Sequence, residues 1–388
     1  MVLFFVPMNL LFITQEDYLA GSSYSVSYLT RGLADRGHQV YLLAQEDSFL
    51  HGLVKDHSRV NFIPFTIRSR FDIDAMKYLR DIVLQYDIQV INAQSTKDRY
   101  ITVLARWFFR LEVLIFHTRR QLPMSVGGFF QNLVYVHGTD RIIAVSQGIK
   151  DALLKKGIPS NHVEVLYNGL PSEKFVSPAI DKIVLKSRLG IRESLPVIGC
   201  IARRKHQDQL LRSLDLLKRP VCVVLVGLSE DDSYRSIIQS HQWPHQVIFV
   251  EGVTGAEALK YLQIFDLFVL CSTSEGLSQS LLEAMYARVP VIATRAAGNI
   301  DLIQSGENGL LFENNDLPGL AIQMDKLLTD QKLREHVMKG GFITASDTFS
   351  IERTIRSYES FFRSLLSSHE SKRHVAKNSP AFPASSLD

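Results

Sequence analysis

Glu275 and Glu283 stand eight positions apart in SEGLSQSLLEAM, residues 274–285, across the start of an expected helix. Ser280 and Glu283 fit a capping box, with the serine oxygen accepting from the N–H three residues on and the glutamate reaching back to the serine's own N–H. A negative side chain in a first turn also suits the helix dipole. Capping leaves Glu275 without a role. A carboxylate accepts two O–H bonds, so it suits the vicinal hydroxyls of a ribose or a hexose. The loop of Ser, Thr and Gly residues and the helix start offer N–H donors to a phosphate. An anion in the middle with a polyol at either side describes a nucleotide sugar.

Two other stretches have compatible chemistry. IGCIARRKHQDQLLRSL, residues 198–214, places Arg203, Arg204 and Lys205 between an apolar run and a helical pattern. Cations there either hold phosphates, arginine by its fork and lysine as a point charge, or face solvent as an ordinary basic loop. In DYLAGSSYSVSYLTRGLADRGHQV, residues 17–40, Gly21, Ser22 and Ser23 precede a helix expected from about Tyr24 to Asp35. This is either a tight turn with a serine cap or a close backbone approach to an anion. Neither a GxGxxG sequence nor a Walker A sequence occurs, which weakens a nicotinamide, flavin or P-loop reading. DID at 72–74 resembles a metal-binding Asp-x-Asp, yet it precedes a helical pattern and reads as a cap.

Short β-rich apolar runs alternate with helical patterns, the signature of βαβ units and of parallel sheets covered on both faces. NLLFIT (9–14), QVYLLA (39–44), VNFIPF (60–65), IQVINA (88–93), EVLIFH (112–117), RIIAVS (141–146) and VEVLYN (163–168) supply a first sheet. PVIGCIA (196–202), PVCVVLVG (220–227), QVIFVE (246–251), DLFVLC (266–271), PVIAT (290–294) and GLLF (309–312) supply a second. The expected organisation is an N-terminal Rossmann-like domain over 1–170, a linker over 171–195 and a C-terminal Rossmann-like domain over 196–349. A helix over 350–367 should pack back on the body, followed by a disordered tail over 368–388. In such sheets ligands bind in loops beyond the carboxyl ends of the strands. The site is therefore expected in the cleft between the domains.

A chain of 388 residues exceeds one ordinary core, and a formal net charge of +3 is too small to argue for nucleic acid. Cys200, Cys222 and Cys271 lie unclustered in apolar runs, which suggests a reducing compartment and no metal site. MVLFFVPMNLLFIT lacks a basic n-region and a small-residue cleavage site, and falls short of the roughly 20 residues of a spanning helix. The segment reads as leading into a buried first strand, with Met8 rather than Met1 expected as the natural start.

EGLSQSLLEAMYARVPVIAT, continued by AAGNIDLIQSGENGLLFENND, resembles the retaining glycosyltransferases of family 4 and the GT-B fold, whose signature is a glutamate pair in an E-x7-E frame. GSSYSVSYLTRGLADRGHQV and AVSQGIKDALLKKGIPSNHVEVLYNGLPSEKF, residues 144–175, extend the likeness over nearly the whole chain up to about Leu366. The resemblance implies that Glu283 holds the ribose and that Glu275 faces the donor-sugar hydroxyls. It also implies that Gly276, Leu277, Ser278, Gln279 and Ser280 give backbone contacts to sugar and diphosphate. Arg203 and Lys205 would neutralise the diphosphate, with Gly21 and Ser22 beneath it from the other domain. The spacing between Arg203 and Lys205 is shorter than the common one, so Arg204 takes either role. The resemblance places His117 in the donor-sugar pocket, although a strand-end histidine is otherwise structural. Arg119 and Arg120 either meet an acidic acceptor or face solvent. Two departures stand out: GSS replaces a double glycine, and Arg288-Val289 replaces a small residue before the proline.

The implied activity is retaining transfer of a sugar from a nucleoside-diphosphate sugar to an acceptor hydroxyl, on a glycan or lipid-linked acceptor. The acceptor would belong to envelope polysaccharide, lipopolysaccharide or glycolipid synthesis. No cofactor, metal or nucleic-acid partner is expected. A nucleotide-sugar epimerase or sugar phosphorylase on the same fold, and a non-catalytic nucleotide-sugar binding protein, are the alternatives. The expected location is cytoplasmic. Lys150, Lys155 and Lys156 either assist attachment to the inner membrane face or form a solvated helix face.

Overall fold

The computed structural model describes residues 6–15, 21–122, 129–175, 181–240, 243–253, 255–296 and 298–378. Residues 1–5, on which the choice between Met1 and Met8 turns, lie outside them. Every apolar run named above contains a strand. The N-terminal sheet holds β1 (Asn9–Ile13), β2 (Gln39–Ala44), β3 (Val60–Pro64), β4 (Val90–Ala93), β5 (Leu114–Arg119), β6 (Arg141–Ala144) and β7 (Val163–Val165). The C-terminal sheet holds β8 (Val197–Ile201), β9 (Cys222–Val226), β10 (Gln246–Val250), β11 (Leu267–Leu270), β12 (Val291–Thr294) and β13 (Leu310–Phe312).

The sheet orders are β3-β2-β1-β4-β5-β6-β7 and β10-β9-β8-β11-β12-β13, with every pairing parallel. Alternation along β1 sends Leu10 and Phe12 into one core and Leu11 and Ile13 into another, so helices cover both faces. In the C-terminal sheet, Val223 and Leu225 face one core while Cys222, Val224 and Val226 face the other. The two sheets thus form two Rossmann-like α/β domains. In each, the strand order reverses once, between β1 and β4 and between β8 and β11. Such switch points open crevices at the carboxyl ends of the strands.

A helix over Ile351–Asn378 returns from the C-terminal domain to the N-terminal one. Phe361 and Phe362 meet Phe116 of β5 at ring distances of 5.4 and 5.0 Å, and Glu359 pairs with Arg36 at 2.6 Å. This helix runs past the expected end at residue 367, so the tail expected from 368 begins helical; residues 379–388 lie outside the described ones. The expected linker includes a helix, Lys182–Arg188, started by Asp181, whose carboxylate accepts from the N–H groups of Ile183 and Val184. Asp72 caps the helix Ile73–Gln85 by accepting from Ala75 at 3.2 Å, a structural use of DID. All three cysteines are free and buried. Among the described residues, no helix is long and apolar enough to cross a membrane.

Candidate functional site

The loops after β1, β5, β8 and β11 converge on one cleft of about 1380 Å³, its open mouth included. From the N-terminal domain come Gly21, Ser22 and Arg120; from the C-terminal domain come Arg203, Lys205 and the run Ser274–Ser280. Residues expected together from the sequence are therefore brought together by the two switch points. Gly21 and Ser22 belong to the first turn of a helix over Gly21–Asp35, which starts ahead of the expected Tyr24.

The helix after β11 runs over Gln279–Tyr286, and its N-cap is Ser278, not Ser280. Ser278 takes an extended conformation and its hydroxyl accepts from Leu281 at 3.3 Å. The expected capping box of Ser280 with Glu283 is thereby corrected. Two serines two residues apart both offer a hydroxyl, and the extended backbone at Ser278 decides between them. The N–H groups of Gln279 and Ser280 then have no intrahelical acceptor and are available to an anion. Gln279 Nε2, buried in the same place, has no hydrogen-bond partner.

Released from capping, Glu283 pairs with Lys174 at 2.8 Å, both side chains more than four-fifths buried. Lys174 belongs to the short helix Ser172–Phe175 that follows the N-terminal domain, and its ammonium lies 5.1 Å from the centre of the Tyr24 ring and 5.7 Å from that of Tyr28. Burial alone would push its pKa down. The Glu283 carboxylate, joined by the Tyr28 and Tyr24 hydroxyls, more than offsets burial and holds it above the ordinary lysine value, so Lys174 is charged. Nothing in the spacing of SEKF announced this contact, because the partner lies 109 residues away. Glu275 pairs with Lys205 at 2.5 Å across the cleft wall. Each motif glutamate therefore meets a lysine.

Glu283, held by Lys174, does not itself line the cleft, and Arg204 and His117 are placed away from it. Arg204 turns to the loop after β9, where it pairs with Asp231, bonds the Ser233 hydroxyl and lies 4.9 Å from the centre of the Tyr234 ring. Successive residues point in different directions, so a run of three cations cannot all enter one cleft. His117 is completely buried and absent from the cleft lining. Its Nδ1–H donates to the Ala93 carbonyl at 3.2 Å, and burial first, then Arg99 and Arg119, holds its pKa well below the usual histidine range. It is a neutral core histidine, which corrects its expected place in the donor-sugar pocket. Arg119 and Arg120 enter a recess beside the cleft in the N-terminal domain, and Arg120 lines both.

Arg288 receives a structural account. It ends the helix Gln279–Tyr286 in the left-handed region, φ 57°, a conformation that glycine adopts at lower cost. Its guanidinium lies 3.7 Å from the centre of the Phe342 ring, a cation–π contact that offsets part of this strain.

The chain matches the family model for glycosyl transferases group 1 over residues 185–342 and that for glycosyltransferase family 4 over residues 19–174. It is 25% identical to the capsular polysaccharide biosynthesis glycosyltransferase CapM of Staphylococcus aureus over 73% of this chain and 78% of that one. It is 23% identical to the N-acetyl-alpha-D-glucosaminyl L-malate synthase of Bacillus anthracis, over 91% of this chain and 96% of that one. The fold is that of Anabaena HepE, solved with UDP and glucose: TM-score 0.75, 20% identity, covering 92% of this chain and all of the other. A glycosyltransferase from Rickettsia africae matches with TM-score 0.78 and 16% identity over 93% of this chain and 99% of that one. With the glutamate pair, the twin Rossmann-like domains and both family models in agreement, the chain belongs to the family 4, group 1 glycosyltransferases of the GT-B fold.

Proposed function

We propose that this glycosyltransferase moves a sugar from a nucleoside-diphosphate donor to an acceptor hydroxyl with retention at the anomeric carbon, in envelope polysaccharide, lipopolysaccharide or glycolipid synthesis. The observation that carries the reading is the cleft itself. It joins Glu275, Lys205, Arg203 and the free N–H groups of a helix start with Gly21 and Ser22 of the opposite domain. Relatives named for capsule and lipopolysaccharide core synthesis support the pathway class, and the Anabaena structures with UDP and UDP-glucose support the donor class.

In this reading Glu283 receives the ribose hydroxyls and Glu275 those of the donor sugar. The diphosphate lies on the N–H groups of Gln279 and Ser280, flanked by Arg203 and Lys205. As the bond from the anomeric carbon to the phosphate oxygen breaks, its electron pair leaves with the diphosphate, and these cations stabilise the growing charge. Arg203 and Lys205 supply that charge, so the step needs no metal. Glu275 is the one carboxylate among the described cleft-lining residues and is engaged with sugar hydroxyls. Front-face attack by the acceptor hydroxyl therefore fits better than a covalent enzyme intermediate, with the departing phosphate oxygen taking the acceptor proton.

A thermal-shift panel of nucleotide sugars tests the donor: at a hundredfold excess over Kd, binding adds about 2.7 kcal/mol to stability. One donor should raise Tm clearly above the others. No shift with any of them, or an inverted anomeric centre in the product by NMR, would overturn the reading.

The placement of the cations gives a sharper contrast. Lys205→Ala should lower kcat/KM by about 10²-fold, the usual effect of removing one group that stabilises transition-state charge. Arg204→Ala, which removes the Asp231, Ser233 and Tyr234 contacts, should stay within about twofold, as surface ion pairs contribute little. Equal losses in both variants would mean that Arg204 reaches the diphosphate after all.

A further inference from the structure

Lys174 stands where the connecting segment meets both domains, and its contacts exceed what docking that segment requires. The short helix Ser172–Phe175 is already held by apolar packing: the Phe175 ring lies 4.4 Å from that of Tyr286, on the same helix as Glu283. Just before it, the Tyr167 carbonyl accepts from the Thr354 hydroxyl at 2.9 Å and Leu170 bridges to Ser350. A buried ion pair adds little to such docking, because taking two charges out of water costs about as much as their attraction returns. The pair is therefore explained by what it does to Glu283.

Glu283 lies one turn beyond Gln279 and Ser280, on the helix face they share. The Lys174 ammonium donates to its Oε1 at 2.8 Å and leaves Oε2 to a ligand. A lysine stem is flexible, yet this one is gripped from the N-terminal domain. The Tyr24 and Tyr28 rings, stacked at 23° with centres 6.2 Å apart, face the ammonium at 5.1 and 5.7 Å, and Phe49 packs edge-on against Tyr24 at 5.5 Å. Tyr24 also reaches the C-terminal domain, since a Cβ added at Gly255 would stand 2.8 Å from its hydroxyl. We infer that Lys174 is a positioning residue for the ribose: gripped by Tyr24 and Tyr28, it fixes the direction of the Glu283 carboxylate, so that the N-terminal domain sets how strongly the C-terminal domain holds the nucleotide hydroxyls. This deepens the reading in which Glu283 receives the ribose, and rests on it.

Calorimetry with the nucleoside diphosphate that raises Tm most and with its 2′,3′-dideoxy counterpart tests it. The intact protein should prefer the ribonucleotide at least about tenfold, as expected for a hydrogen bond to a charged acceptor. Lys174→Met keeps an unbranched apolar stem and removes the ammonium. It should cut that preference to within about threefold, and Lys174→Arg should restore part of it. A loss common to both ligands, from the missing charge, cancels in the ratio. The donor KM of Lys174→Met should rise with kcat held within about threefold, because the ribose contact is the same in the ground and transition states. Tyr24→Leu removes one ring and leaves both charges; it should lower the preference about threefold, and it carries the test if Lys174→Met does not fold. A preference unchanged or increased in these variants would overturn the inference and leave the ribose reading standing, with Lys174 a docking contact only. Equal affinity for the two ligands in the intact protein would sink the assignment of Glu283 to the ribose itself.

Discussion

Glu275→Gln is expected to lower the turnover number for sugar transfer by about 10²- to 10³-fold, the range found when one preorganised transition-state contact is removed. Nucleotide affinity should change by less than about threefold, because the contact is made by the sugar and not by the nucleotide. The substitution keeps the shape of the side chain and exchanges one acceptor oxygen for a donor. The amide presents an NH2 donor where the second carboxylate oxygen accepted from a hydroxyl, and it no longer balances Lys205, which stands 2.5 Å away. Lys205 remains free to meet the diphosphate, so the ground-state complex survives while the charge-bearing sugar loses its partner. Glu283→Gln should behave in the opposite sense, weakening the nucleotide about tenfold with a smaller effect on turnover, since it also loosens the Lys174 contact that orients the carboxylate. Initial rates together with calorimetry of the nucleoside diphosphate separate the two. If both glutamate variants lost affinity and turnover in equal proportion, the division between ribose and sugar would be wrong.

That division depends on a feature only half legible in the sequence. The strands were readable because parallel-sheet strands are buried on both faces and appear as unbroken Val, Ile and Leu runs; β9, CVVLV, is buried along its whole length. Glu275, Arg203, Lys205, Gly21 and Ser22 were readable as a set because each follows a strand at a switch point, and topology then does the gathering. Directions of side chains were not readable. Arg203, Arg204 and Lys205 are equivalent as types, and only the loop path turns Arg204 toward Asp231. His117 and Arg119 are two residues apart and belong to one strand, yet the histidine is fully buried while Arg119 reaches the recess. Lys174 was invisible for a different reason. Its partner Glu283 belongs to the C-terminal domain, 109 residues on, and a contact made by docking the connecting segment on a domain leaves no periodicity in either. The same holds for Arg99, whose burial against Tyr135 joins two helices of the N-terminal domain.

The domain contact also predicts the effect of the smallest possible change in the motif. Gly276→Ala adds one methyl group where a Cβ would stand 1.9 Å from the carbonyl oxygen of Arg120 and 3.2 Å from Ile149 Cδ1, both in the N-terminal domain. The first contact is to backbone and cannot be relieved by a rotamer change. Nor can the loop retreat freely into its own domain. The N–H of Gly298 donates to the Glu275 carbonyl at 3.2 Å, and Gly298 packs so closely that its own missing Cβ would lie 2.0 Å from the Gly276 carbonyl oxygen. The remaining relief is a parting of the two domains at the cleft. A shift of about 1 Å there should cost roughly 10²-fold in kcat/KM, because it separates a donor held by one domain from an acceptor held by the other. Tm should fall by no more than about 2–4 °C, the equivalent of about 1 kcal/mol in a chain this large, since the change presses one methyl against the core at Ile149 and removes no side chain from it. Nucleotide affinity should persist, as the diphosphate and ribose contacts belong mainly to the C-terminal domain. Rates, Tm and calorimetry on the variant distinguish the outcomes. A large fall in Tm with lost nucleotide binding would mean that the Glu275 loop collapsed; unchanged rates would mean that Gly276 and Arg120 do not approach each other during catalysis.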